Sequence, residues 1–556
     1  MNKEQSLFPM IVEANNHEVA STTRTRKQRF KPYDQQQTYL LPSRLDDYVG
    51  KYHIARLVSA LIDHIDISCI IEGYKGGGAS AYDPRMLLKV LILGYIYKIY
   101  TVRPLERALK ENVAFMWISG NQQPDFRTLN NFRRRLGKEI KDIFKSIVRK
   151  LVEMGILEGK DVFVDNTKYS ADANRHKVVW RKTVERQLES IDEELERLCE
   201  RIEKIQAQEE QDERRIQVQE DKVAKALEVE QLDEMIAEIN RKIKAKEIER
   251  REGNRYKADI KRAKTLIERK EAYEHKKEIL GDRNSYATTD TDATVMYMKD
   301  GTLQPGYNEG ISVDNGFVVG YVISQSSADN VSFKELMEET KETLGGAPDS
   351  VTADGAFGSE ENYAYLEQER ITGYVKYTGY YQEKTKKYHQ QQIRPEMFVY
   401  DRQTDTYRCP QGKILVFSKE YVETTKTGYK QTIRVYKADE QDCAQCSVKM
   451  WCTKGKSRSL SVNRNYMRLK EKAKEELSTE AGREHSRYRA HMTETVFGDR
   501  KHNHRFRRFH LRGKEGVQVE SGLYYCTHNI KRLYTFILDK MYKPPTIMVL
   551  LGSENG

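Results

Sequence analysis

The sequence predicts a mixed α/β catalytic core, a mixed sheet flanked by helices, preceded by an all-α domain and interrupted by two insertions. Three patterns carry that prediction. Short apolar runs ending in aspartate recur at 160–165 and 350–354, as buried strands do. Apolar residues at helical spacing mark 46–157. Between 181 and 282 the apolar residues step by four and three, which is a coiled-coil seam.

Residues 1–45 are polar and read as a flexible basic arm, with Arg24, Arg26, Lys27 and Arg29 followed by Gln35, Gln36 and Gln37. A DNA-touching arm and a solvated tail both fit. Residues 46–157 form the helical domain: Ile54, Leu57, Val58, Leu61 and Ile65 share one helical face. Asp83 before Pro84 is a helix start, a capping carboxylate followed by proline in the first turn. Pro124 and Asp125 open another helix, which puts Arg133, Arg134 and Arg135 beside an apolar stripe. That basic face fits DNA contact or plain solvation.

The catalytic core is expected over 158–180, 283–377 and 481–545, with a tail at 546–556. Lys160 to Asp165 reads as a strand with Asp165 at its C-terminal end. Thr294 to Met298 and Phe317 to Ile323 read as strands, with Gly301 and Gln304-Pro305-Gly306-Tyr307-Asn308 as turn chemistry between them. A helix from Ser332 to Leu344, a strand from Ser350 to Asp354, a helix capped by Ser359 and a strand from Ile371 to Tyr377 follow.

The first insertion, 181–282, carries the seam Val184, Leu188, Ile191, Leu195, Leu198, Ile202 and Ile205. Further apolar runs include Ile236, Ile239 and Ile243, then Ile260, Ile267 and Tyr273, with Gly253-Asn254 as a candidate break. A hairpin returning as an antiparallel coiled coil would bring the chain back to its start. Its charges fit a solvated surface, or an arm contacting another protomer or DNA. The second insertion, 378–480, is tyrosine-rich, turn-rich and β-containing. It holds Cys409, Cys443, Cys446 and Cys452, four thiolates that can close a tetrahedral zinc site. Reduced buried thiols are the alternative.

The chain of 556 residues carries a net charge of +11 and 32% charged residues. A basic balance favours a polyanionic partner. The most apolar stretch, Met86 to Tyr100, is too short for a bilayer and contains Lys89 and Lys98, so it reads as a buried helix. Seven cysteines, an odd number unevenly spread, argue against a secreted disulfide framework. The N-terminus lacks a signal-peptide apolar core, and a cytoplasmic, nucleoid-associated protein is expected.

Metal-assisted phosphoryl transfer needs carboxylates from distant chain positions that converge on hard divalent cations. Asp165 and Asp354 each end an expected strand, and Glu494 lies on an expected helix that could pack against them. Arg500, Lys501, Arg505, Arg507, Arg508, Arg512 and Lys514, interleaved with Phe506 and Phe509, read as a phosphate-binding surface beside the carboxylates.

Four segments, in order, resemble the DDE transposases of bacterial insertion sequences, in the ribonuclease H-like superfamily. They are Val164-Asp165-Asn166-Thr167-Lys168-Tyr169-Ser170-Ala171-Asp172; Pro305-Gly306-Tyr307-Asn308 with Ser312-Val313-Asp314; Ala353-Asp354-Gly355-Ala356-Phe357-Gly358; and Glu494-Thr495-Val496-Phe497-Gly498-Asp499-Arg500-Lys501 with Arg508-Phe509-His510-Leu511-Arg512-Gly513. The helical segment up to Arg133 is similar to the N-terminal domain of that family.

The resemblance implies a ribonuclease H-like core and the triad Asp165, Asp354 and Glu494, holding two Mg²⁺ or Mn²⁺ ions. It also implies a Tyr-Arg-Glu-Lys signature. Lys501 stands at its seven-residue offset after Glu494, whereas Arg489 lies five before Glu494 where the pattern puts arginine four before. Arg489, Lys501, Arg505, Arg507, Arg508, Arg512, Arg133 and Arg134 are the expected DNA contacts. The implied partners are the element's inverted terminal repeats and target duplex DNA, met by a homo-oligomer, a dimer in the simplest case, with no membrane. Asp161, Asp172, Asp290, Asp292 and Asp314 read as turn or supporting residues, as do Glu520 and Asn529. Trp180 reads as hairpin packing more than base stacking. Two other readings compete: a nuclease or resolvase on the same fold without strand transfer, and a non-catalytic DNA-bridging coiled-coil protein.

Overall fold

The computed structural model describes residues 44–74, 81–210, 250–391 and 393–539, with a few isolated positions between 236 and 245. The basic arm up to residue 43, the apex of the first insertion and the C-terminal tail lie outside the described residues. Val49 onward forms one compact unit; of the unit before it, the described part is a short 3₁₀ turn at Leu45–Tyr48.

The N-terminal segment is helical, as expected. Its helices are α1 Ile54–Asp63, α2 Pro84–Ile96, α3 Val102–Glu111, α4 Val113–Ile118, α5 Phe126–Arg135 and α6 Glu139–Glu153. Asp83 caps α2 by accepting the N–H groups of Arg85 and Met86, and Asp125 caps α5 through Thr128. Helix α2 buries nearly its whole circumference, which explains its apolar run.

A six-stranded mixed sheet follows. Its strands are β1 Asp161–Ser170, β4 Thr294–Tyr297, β5 Leu303–Asp314, β6 Phe317–Ser324, β7 Ser350–Ala353 and β8 Thr372–Val375. The order is β4-β5-β1-β7-β8, and β6 also pairs with β5. Strands β4, β6 and β1 run antiparallel to β5, whereas β1, β7 and β8 are mutually parallel. This mixed α/β arrangement fits the expected ribonuclease H-like class.

Two strand expectations need correction. Residues 304–308 are not a turn: they lie inside β5, a long strand buried along most of its length. Their glycine answers to close packing, since a Cβ on Gly306 would stand 2.5 Å from the Tyr169 carbonyl. Asp165 does not end β1, which runs five residues further because β5 pairs with it from Phe163 to Ser170. The parallel ladder to β7 stops at Phe163, so Asp165 stands just beyond it.

Helix α9, Phe333–Leu344, packs on one face of the sheet against β5 and β6. The opposite face is crossed by α12, Glu480–Gly498, reached through α10 Glu360–Gln368 and α11 Arg464–Ser478. The last described helix, α13 Gly513–Asp539, packs on α2, α6 and β6. Asn529 on α13 pairs with both the N–H and the carbonyl of Val318. Asp290 and Asp292 accept the Gly513 and Lys514 N–H groups at its start. One continuous core joins α1–α6 to the sheet, with Phe144 edge-on to Tyr321 at 5.1 Å.

In the first insertion, α7 Arg181–Glu210 packs against α8 Arg250–Leu280. The pairs Asp192–Lys270, Glu194–Arg262 and Arg201–Asp259 set the two helices antiparallel. Ile191, Leu198, Ile260, Ala263 and Leu266 are buried between them. Gly253-Asn254 is not a break; both lie within α8. Two short strands, β2 Val178–Trp180 and β3 Ser285–Ala287, pair at the base and return the chain to its entry point.

The second insertion contains an antiparallel five-stranded sheet. Its strands are β9 Val399–Asp401, β10 Thr406–Arg408, β11 Ile414–Thr424, β12 Lys430–Ala438 and β13 Ser459–Val462, with Phe398, Leu415 and Tyr436 in its small core.

Candidate active site

Asp165 projects from β1 toward α12. Its Oδ2 accepts a hydrogen bond from Thr493 at 3.3 Å and lies 3.4 Å from the Arg489 guanidinium; its Oδ1 accepts the Asn166 N–H at 2.9 Å. Asp354, at the end of the parallel neighbour β7, caps the following turn through the Ala356 N–H at 3.0 Å. Strand β7 pairs in parallel with β1 up to Phe163, two residues before Asp165. Burial pushes the Asp165 carboxyl up, Arg489 pulls it down, and the like charge of Asp354 raises it again.

Glu494 follows Thr493 on α12 and is exposed, so the residue beside Asp165 is the threonine and not the glutamate. Among the described residues, no three His, Cys, Asp or Glu side chains are gathered closely enough to hold one ion. Nearer the start of α12, His485 stacks on Phe163 at 5.7 Å and its Nδ1 is 3.2 Å from the Thr352 hydroxyl.

The segment after Glu494 is not one basic surface. Helix α12 widens into a π-turn at Asp499–Asn503, closed by the His504 N–H on the Asp499 carbonyl at 2.8 Å. Arg500 points inward, fully buried, paired with buried Glu309 and packed against the rings of Tyr169, Phe506, Phe509, Tyr524 and Tyr525. Lys501 is half-buried: its Nζ bonds to the Thr167 hydroxyl and the Lys168 carbonyl and sits 4.5 Å from the Tyr169 ring centroid. Burial, with Lys299 and Arg500 nearby, brings its pKa down to about 8.

Arg505, Arg507, Arg508 and Arg512 are exposed, and the last two are paired with Asp172 at 2.7 and 2.9 Å. Arg134 is exposed, but Arg133 is buried, donating to the Tyr100 carbonyl and to Asn130. Arg489 is likewise turned toward Asp165, with its side chain 15% exposed. Burial decides these exceptions, and charge alone does not report burial. Thr493, His485 and Glu309 carried no distinguishing sequence signal; Thr493 could have been suspected only as the neighbour of Glu494.

Cys409 opens a tight turn in which the Gly412 N–H returns to its carbonyl at 2.9 Å. Its sulfur accepts the Lys413 N–H at 3.3 Å, and the Cys443 sulfur accepts the Arg458 N–H at 3.4 Å.

Residues 408–534 match a family model described as Transposase DDE domain, and residues 43–135 match one described as Transposase domain. Together the two matches indicate a DDE transposase of an insertion sequence. No curated protein and no solved structure matches the chain. The first match takes in the cysteine region, α12 with Glu494 and the basic segment, whereas Asp165 and Asp354 lie before it. Among the described residues, no helix is long and apolar enough to cross a membrane.

Proposed function

We propose that this transposase binds the inverted terminal repeats of its own element, cuts the ends and joins them to target DNA, using Asp165, Asp354 and Glu494. The observation that carries the reading is the placement of Asp165 on β1, against α12, and of Asp354 at the end of its parallel neighbour β7. Oxygen donors that repel each other fit hard divalent cations. Asp165 and Asp354 would hold them, with Glu494 completing the set from α12. A bound pair of Mg²⁺ or Mn²⁺ ions supplies a water nucleophile at neutral pH and charge stabilisation on the leaving oxygen.

The remaining work falls to the protein's own groups. Arg489 offsets the charge of Asp165. Lys501, held by Thr167 and Lys168 on the same strand as Asp165, offers a point charge to a phosphate. Arg505, Arg507, Arg508, Arg512 and Arg134 supply exposed backbone contacts. A homodimer matches two related ends with two related sites. The paired helices α7 and α8 form a coiled-coil insertion. Cys409, Cys443, Cys446 and Cys452 would hold a structural zinc once drawn together; two of their sulfurs accept backbone N–H groups, as metal-bound thiolates do.

The test is incubation of the protein with duplexes bearing the element's ends and Mg²⁺ or Mn²⁺. Joined products are expected, and Asp165→Asn, Asp354→Asn and Glu494→Gln each abolish them while leaving end binding intact. Cleavage without joining would replace this reading with that of a nuclease.

A further inference from the structure

The turn that follows Asp354 is held from outside the catalytic sheet. Six residues after Asp354, Glu360 opens α10, and it is only 4% exposed. Its Oε1 accepts the Asn465 side-chain amide at 2.7 Å and the Tyr429 hydroxyl at 3.4 Å; its Oε2 accepts the Asn463 side-chain amide at 2.5 Å. All three donors are neutral, and all three come from the second insertion. Tyr429 stands at the turn between β11 and β12, and Asn463 is where the chain leaves β13 for α11. Thr427, in the same hairpin turn as Tyr429, donates to Glu361. Tyr466, in the first turn of α11, donates to the Gly358 carbonyl at 3.3 Å.

The two amides are fixed as donors. Asn463 Oδ1 accepts the Tyr466 N–H at 2.9 Å, capping α11, and Asn465 Oδ1 accepts from Arg468 at 3.1 Å. Each amide therefore turns its NH₂ toward Glu360, and neither flips without losing its other bond. A carboxylate only accepts, so it satisfies both; glutamine would set an N–H against an N–H. A buried carboxylate is costly unless its oxygens are hydrogen-bonded, and packing alone would be served by an apolar side chain. A satisfied polar cluster instead specifies one arrangement of the parts it joins.

We propose that Glu360 is a positioning residue: it locks the Asp354 turn to the second insertion, so that the insertion sets where Asp354 stands. The proposal rests on the reading of Asp354 as a metal ligand, and it goes beyond that reading in giving the second insertion a part in the chemistry. The Glu360 oxygens are taken up by Asn463, Asn465 and Tyr429, so Glu360 acts through the backbone between Asp354 and Ser359. That backbone is short and already ordered at both ends. Asp354 caps its start through the Ala356 N–H, and Ser359 caps α10 through the Asn362 N–H at 3.3 Å. A shift of the hairpin or of the α11 start at Glu360 is thereby passed to Asp354.

The experiment compares the parent, Glu360→Gln, Asn465→Asp and the double variant in two readouts. One is the Mn²⁺ concentration that gives half-maximal cleavage of an end duplex. The other is hydrogen exchange of the backbone from Asp354 to Ser359 without metal. Glu360→Gln is expected to raise the half-maximal Mn²⁺ concentration roughly tenfold, as loss of a support behind a metal ligand does, and to speed exchange in the turn. End binding without metal should stay unchanged. Asn465→Asp sets two carboxylates together and should act alike; Asn465 is exposed, so this variant carries the test even if Glu360→Gln misfolds. In the double variant the new Gln amide donates to the new carboxylate while its oxygen still accepts from Asn463, so both readouts should return toward the parent's. Parental metal dependence in both single variants overturns the proposal. So does a double variant no better than the single ones, because losses of packing alone add. The reading of Asp354 is judged apart. Cleavage by Asp354→Asn, or none by the parent, removes that reading, while exchange restored in the double variant still upholds the lock.

Discussion

Arg489 neutralises part of the charge that Asp165 and Asp354 place together, yet burial still leaves the Asp165 carboxyl raised. A carboxyl whose pKa is higher in the folded state than in the unfolded chain stabilises the fold at low pH. That contribution is lost as pH rises above the ordinary carboxylate range. Asp165→Asn is therefore expected to raise the melting temperature near neutral pH, with the gain vanishing in acid; thermal scans at both pH values decide it. Lys501 titrates from the other side. With its pKa near 8, its cation is lost as pH climbs through that value, so metal-supported cleavage should decline there. Lys501→Arg should carry the plateau to higher pH, and a parental decline that persists in this variant would exonerate Lys501. Arg500 differs from both, being fully buried with Glu309. Arg500→Met leaves an unpaired buried carboxylate and should cost about 3–5 kcal/mol in denaturant unfolding, with less cost when Glu309 is also replaced by Gln.

The insertions have their own small cores. Leu198 is buried between α7 and α8, remote from the catalytic strands in the chain and in its contacts. Leu198→Ala should cost about 2–5 kcal/mol, confined to the helical pair. Hydrogen exchange should speed up in α7 and α8 and stay unchanged in β1, β5 and β7. The five-stranded sheet buries few apolar side chains, and most of β11 is exposed. A structural zinc would therefore supply much of its stability. One zinc per chain is expected by metal analysis, and a strong chelator should loosen β9–β13 before the catalytic sheet melts. Zinc-free protein with that sheet intact would leave the cysteines as ordinary thiols.

Across the whole molecule, α1–α6 and the catalytic sheet share one apolar core, and α13 closes it by packing on both. Distortion in the N-terminal helices is thus felt at the sheet.

Much of this was legible along the chain, because local rules govern it. Caps at Asp83 and Ser359, the helix start at Asp125 and the apolar runs of β6 and β7 are short-range signals, and each has its counterpart in the structure. Asp165 and Asp354 were singled out by the motifs around them. Residues 304–308 misled, because proline and glycine also serve where a buried strand presses on its neighbour. The run from Arg500 to Arg512 misled in another way. A π-turn and a cage of five aromatic rings turn Arg500 inward, while Arg508 and Arg512 stay at the surface. Charge is a property of each residue, but burial and pairing are properties of what packs around it. Chain order therefore named the chemistry, and packing chose which cations face solvent and which hold Asp165.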